Sequence, residues 1–65
     1  MLETKIRALS QERGMDQSQL AALVGVRRET ISRLEKGLYN PSLKLAMDIA
    51  HVFGRTVEEV FTFRE

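Results

Sequence analysis

Five of the ten basic side chains in this 65-residue sequence fall between residues 27 and 44, namely Arg27, Arg28, Arg33, Lys36 and Lys44, against only Glu29 and Glu35 in the same stretch. Residues 1–26 carry three basic and three acidic groups and residues 45–65 carry two and four, so a net charge of +1 conceals a middle segment of +3 and a C-terminal one of −2. A guanidinium is a planar fork of donors that grips two acceptors at once, on a phosphate or on the edge of guanine, and a carboxylate accepts from cytosine. The chemistry on offer is therefore anion and base-edge binding. A basic segment inside a near-neutral chain is the footprint expected of a surface that meets phosphates, although a charge cluster is more often just a solvated face. Glu29 and Arg33 stand four apart, a helix ion pair worth about 0.2–0.5 kcal/mol.

Other chemistries lack their residues. There is no cysteine, so disulfides and thiolate metal sites are excluded. His51 is the only histidine, and Asp48 three residues earlier explains it as a surface pair. No glycine-rich phosphate loop, carboxylate cluster or metal-ligand spacing occurs, so neither metal, cofactor nor catalysis is expected. Met1, Met15 and Met47 read as end and core residues, and no small-molecule pocket is evident. With 43% hydrophobic and 29% charged residues the chain has an ordinary globular balance. It reads as one domain spanning 1–65, with a thin stability margin that dimerisation would widen. No leader or membrane span of ~20 apolar residues is visible, which makes the cytoplasm the expected location.

The elements that must position the basic segment are marked by glycine. All four glycines fall where helices should stop. A first helix is expected from Leu2 to Arg13, with Leu2, Ile6 and Leu9 on one face and Gly14 beyond its end. Asp16 suits an N-cap, with Gln19 as its reciprocal partner and Met15 stapled on Leu20, so a second helix begins at Gln17, turns Leu20, Ala21 and Val24 inward and ends at Gly25. Arg28 to Lys36 forms a third, with Ile31 and Leu34 inward, Val26 feeding in from the turn and Gly37 closing it. Leu38 to Pro41 is a loop, since proline cannot continue a helix. Ser42 caps a fourth helix with Leu43, Ala46, Ile49, Ala50 and Phe53 inward, ending at Gly54. Thr56 and Glu59 open a fifth, burying Val57, Val60 and Phe61. Phe61, Thr62 and Phe63 alternate, which fits a frayed helix end or a short strand.

A helix, a turn of about three residues with glycine and a second helix form the arrangement that lets one helix brace on the DNA backbone while the next enters the major groove, and generic αα-hairpins share it. The stretch DQSQLAALVGVRRETISRLEKGLYNPSLKLAMDIAHVFG resembles the phage-repressor and Cro-like (XRE) helix-turn-helix family, in its small stand-alone regulators. The matching positions are Gln17, Leu20, Ala21, Gly25, Val26, Thr30, Ile31, Ser32, Glu35, Gly37, Asn40, Pro41 and the run Leu45 to Phe53. The resemblance implies an all-α fold class, a compact five-helix bundle of the lambda-repressor-like type with the helix-turn-helix formed by helices 2 and 3. It implies double-stranded DNA as the partner and Arg28 to Lys36 as the recognition helix. Arg27, Arg28, Glu29, Ser32 and Arg33 would then read bases, and Gln17, Lys36, Gly37, Tyr39 and Asn40 would contact phosphates, with Lys44 a more distant charge. The plainer alternative is that Tyr39 and Asn40 only shape the turn before Pro41.

Two departures qualify the match. Relatives often place Ser or Thr where this chain has Arg27, and losing such a cap costs about 1 kcal/mol. Many also place at Ser10 an arginine that pairs with the glutamate equivalent to Glu35, which leaves Arg7 and Arg13 as candidate partners here. Specific members bind as two-fold dimers on half-sites about 34 Å apart, so a homodimer on a palindromic operator is expected, acting as a transcriptional repressor in the nucleoid-associated cytoplasm. Val52, Val60, Phe61 and Phe63 are the apolar residues left for its interface, with 57–65 as the candidate dimerisation end; for Val60 and Phe61 core packing is the equal alternative. The competing reading is an antitoxin-like or adaptor module whose main partner is another protein.

Overall fold

The computed structural model describes residues 1–64. Its elements run β1 (Leu2–Thr4), α1 (Ile6–Glu12), α2 (Gln17–Val24), α3 (Arg28–Glu35), α4 (Leu43–Phe53), α5 (Val57–Val60) and β2 (Phe61–Phe63). Three of the five helices start on the side-chain caps expected of them. Asp16 and Gln19 close a reciprocal capping box with both bonds at 2.8 Å, Ser42 accepts from the Leu45 amide at 3.1 Å, and Thr56 and Glu59 form a second box at 2.9 and 3.2 Å. Each such cap satisfies amides that would otherwise face water or the interior without a partner.

The main departure from an all-α fold lies at the chain ends. Leu2 to Thr4 is a strand rather than the first turn of α1, and it pairs antiparallel with β2 in the register Leu2 with Phe63, Glu3 with Thr62 and Thr4 with Phe61. Alternation puts Leu2, Thr4, Phe61 and Phe63 on one side of this ribbon, and Leu2 and Phe61 are buried there. No side chain caps a helix start at Lys5, whereas strand pairing gives the backbone partners: Lys5 N–H donates to Val60 at 2.9 Å and Arg64 N–H to Met1 at 2.8 Å. The alternation at 61–63 is thus that of a strand. The dimerisation end assigned to 57–65 is described as far as Arg64, and Glu65 lies outside the described residues.

Ile6, Leu20, Ile31, Leu34, Ile49, Phe53 and Val60 are the fully buried centre, so every helix contributes to one core. Val24 and Val57, expected inside, are half-buried against it. Two expected core positions lie elsewhere. The inward stripe of α4 is Leu45, Ala46, Ile49, Ala50 and Phe53, and Leu43 and Met47 each sit two residues from a stripe member, about 200° round the helix, where they are exposed.

Candidate nucleic-acid interface

Helices α2 and α3 cross where Ala21 allows close approach, with Leu20 on one side and Ile31 and Leu34 on the other, all buried. The turn between them depends on Gly25, whose φ of +72° lies in the left-handed region that other residues adopt at a cost. The Val26 amide then reaches back to the Ala21 carbonyl at 3.0 Å, which closes α2 and sends the chain into α3 at Arg27.

With Ile31 and Leu34 fixed in the core, the other side of α3 must face solvent. Arg27, Arg28, Glu29 and Arg33 are exposed there and Ser32 is half-buried. Glu29 lies in the first turn and Arg33 in the last, which suits the helix dipole at both ends. The expected Glu29–Arg33 ion pair does not form. Among the described residues the carboxylate pairs are Lys44–Asp48 at 2.7 Å, Arg55–Glu59 at 3.7 Å and Arg64–Glu3 at 2.7 Å, all away from α3. The α3 cations therefore have no carboxylate partner among the described residues, while Lys44, expected as a distant phosphate contact, is engaged with Asp48. That pair also replaces the expected one between Asp48 and His51.

The loop after α3 is held by Gly37. Its φ is +72°, its amide donates to Leu34 at 3.0 Å, and a Cβ there would collide with the backbone carbonyl of Leu2. Gly37 thus shapes the end of α3 instead of offering a free amide. Lys36, Tyr39 and Asn40 are exposed beside it.

Glu35 is served by neither Arg7 nor Arg13. Arg13 donates to the Phe53 carbonyl at 2.9 Å and lies 5.9 Å from the centre of its ring. The partner of Glu35 is Gln17, at the first turn of α2, whose Nε2 donates to the two carboxylate oxygens at 3.4 and 3.3 Å. Gln17 Oε1 in turn accepts from Arg28 Nη1 at 3.2 Å. This chain of contacts went unseen in the sequence, where its one signal was a glutamate left without its usual arginine. It also means that Gln17, expected on a phosphate, is engaged within the protein.

In the C-terminal elements, Val60 and Phe61 are 1% and 8% exposed and belong to the core, and Val52 is half-buried against it. Core packing claims both, so of the four residues expected at a self-contact only Phe63, 68% exposed, presents a large apolar surface.

A family model described as helix-turn-helix matches residues 6–60. An uncharacterised HTH-type transcriptional regulator of Archaeoglobus fulgidus is 55% identical over 62 residues, which cover 95% of this chain and 89% of that protein. One from Methanothermobacter thermautotrophicus is 48% identical over 65 residues, 98% of this chain and 94% of its own. The cryptic phage CTXphi transcriptional repressor RstR of Vibrio cholerae is 32% identical over 65 residues, all of this chain and 59% of the repressor. A crystal structure of a Bacteroides fragilis protein superposes with a TM-score of 0.81 at 22% identity, covering 95% of this chain and all of that one, which shows a shared fold.

Proposed function

The chain belongs to the helix-turn-helix family of transcriptional regulators, and from that membership we propose that it is a sequence-specific repressor binding a palindromic DNA operator as a homodimer. The observation that carries this reading is the face of α3, where Arg27, Arg28 and Arg33 project with no carboxylate partner among the described residues while ion pairs occupy cations elsewhere. Unpaired guanidiniums on the second helix of such a motif suit the oxygen-rich floor and walls of the major groove. Lys36, Tyr39 and Asn40 extend that face toward a phosphate strand. Repression is the sign of regulation favoured by the similarity to RstR, and a dimer seated on an operator blocks access to it. The whole of 1–65 acts as the DNA-binding unit, with Phe63 at the self-contact.

Selection of bound sequences from a random duplex library at physiological salt tests this. Enrichment of an inverted repeat with half-sites about one helical turn apart is expected. Retention with no enriched motif and a steep loss with added salt would overturn it, leaving phosphate binding alone.

A further inference from the structure

We infer that Glu35 is a positioning residue for base recognition: acting through the Gln17 amide, it holds the Arg28 guanidinium in the orientation that reads the operator. The inference rests on the reading of α3 as the recognition helix.

A carboxylate only accepts hydrogen bonds, a guanidinium only donates, and a side-chain amide has one end of each kind. Gln17 stands between the two, with Nε2 3.3 and 3.4 Å from the Glu35 oxygens and Oε1 3.2 Å from Arg28 Nη1. Reversing the amide would set oxygen against carboxylate and NH2 against guanidinium, so both neighbours enforce the same polarity. Gln17 and Glu35 are half-buried and Arg28 is exposed, so the fixed end of the relay lies in the protein and the free end at the surface.

The relay depends on what surrounds Glu35. A cleft of about 330 Å³ opens beside it, lined by Arg7, Ser10, Gln11 and Gln17 among others, and no cation from α1 bonds the carboxylate. Ser10 lines the same cleft and makes no hydrogen bond to the carboxylate. The Glu35 charge therefore acts on Arg28 through the intervening amide dipole, and hydrogen bonds in such a chain strengthen one another. One Arg28 N–H is used in this way, and the remaining donors stay free for an acceptor on DNA. Holding the long side chain in one geometry before binding also removes part of the ordering cost of a specific contact.

The test measures binding of the full chain to the selected operator and to every single-base-pair variant of one half-site. Thermal midpoints are recorded alongside. Arg28→Ala should abolish preference at one base pair. Glu35→Gln and Gln17→Ala should each lower preference at that same pair by roughly fivefold or more, leave other pairs within about twofold, and show no further loss when combined. The exchange Gln17→Glu with Glu35→Gln restores an acceptor for Arg28 and a donor behind it, so it should recover that preference even if overall affinity falls through repulsion by phosphate. If Glu35→Gln leaves the pair's preference intact while Arg28→Ala abolishes it, the relay is wrong and the recognition reading stands. Should Arg28→Ala change no preference, the assignment of Arg28 and this inference fall together. A uniform loss across all base pairs with a lowered midpoint would reduce Glu35 to a structural role and overturn the proposal. If Glu35→Gln does not fold, Gln17→Ala decides.

Discussion

Arg27 occupies the N-cap of α3 with φ −80° and ψ 153°, yet its side chain caps nothing. Thr56, at the N-cap of α5, has nearly the same backbone at φ −79° and ψ 160°. There the Glu59 amide reaches both the Thr56 hydroxyl at 3.2 Å and the Thr56 carbonyl at 3.1 Å. The Thr30 amide already donates to the Arg27 carbonyl at 3.0 Å, so a serine at 27 could take up the missing bond with no movement of the backbone. Arg27→Ser should therefore stabilise the free protein by about 1 kcal/mol. For a domain this size that raises the thermal midpoint by roughly 4–8 °C. The same substitution removes one cation from the α3 face, which should weaken DNA binding and flatten the slope of log K against log salt by about one. Thermal unfolding by circular dichroism at fixed chain concentration and salt-titrated fluorescence anisotropy on the selected operator measure the two effects. Arg27→Ala serves as the control, since it removes the charge without supplying a cap and should lose binding with no gain in midpoint. A serine variant that is more stable and binds with unchanged affinity and salt slope refutes the use of Arg27 on DNA. One that is no more stable refutes the empty cap.

Gly25 and Gly37 share a φ of +72°, but an added Cβ meets nothing within 4 Å at Gly25 and the Leu2 carbonyl at Gly37. Gly25→Ala should cost about 1–2 kcal/mol of stability, and Gly37→Ala a further ~1–3 kcal/mol as β1 is displaced; equal losses in urea denaturation would show that β1 is not seated against the end of α3. The Thr56 backbone N–H, then the Thr56 hydroxyl, with Arg55 adding to them, hold the Glu59 carboxyl below its ordinary 4.5. A depressed value contributes stability that is present above the unfolded-chain value and lost as pH falls through the folded one, so the midpoint gap between wild type and Glu59→Gln should be open at neutral pH and close in acid. A gap that does not change with pH would exclude the ionisation of the Glu59 carboxyl as its source. Phe63→Glu should shift sedimentation from dimer to monomer and leave the unfolding transition of the dilute protein in place. Persistence of the dimer would remove Phe63 from the contact.

What could be read from the sequence was local. Asp16 with Gln19 and Thr56 with Glu59 declare helix starts within four residues, and each glycine at 14, 25, 37 and 54 marks a helix end, because the bonds and dihedrals involved span a single turn. What could not be read depends on partners far along the chain. Leu2 falls on an apolar stripe with Ile6 and Leu9 and so mimics a helix, until Phe63 offers it a strand 61 residues away. In α4 the apolar residues outnumber the buried stripe, and Leu43 competes with Leu45 until the packing of α2 against α4 decides between them. The α3 face was legible because two buried residues, Ile31 and Leu34, leave only one direction for Arg28, Glu29 and Arg33. The partner of Glu35 was not, since the sequence offered only Arg7 and Arg13 for it, and the crossing of α2 on α3 brings Gln17 there instead.

The ribbon at the chain ends connects the two surfaces on which the proposed function depends. Phe63 pairs with Leu2, and the Leu2 carbonyl packs on Gly37, the residue that closes α3. Two steps across the backbone thus separate the candidate self-contact from the recognition helix, and neither passes through a long flexible side chain. In a dimer held at Phe63, the orientation of each α3 would be registered against its two-fold mate through Leu2 and Gly37, because strands and close-packed backbones transmit position with little slack. Half-site spacing would then be a property of this contact, and a substitution that loosens it should act on spacing before it acts on base preference. Gly37→Ala displaces β1 but touches none of Arg27, Arg28 or Arg33. On operators whose half-sites are moved apart by one or two base pairs, it should therefore relax the penalty for altered spacing while the preferred half-site sequence is retained. Loss of half-site preference in that variant, with the spacing penalty unchanged, would show that the ribbon supports α3 itself and carries no information between the two copies.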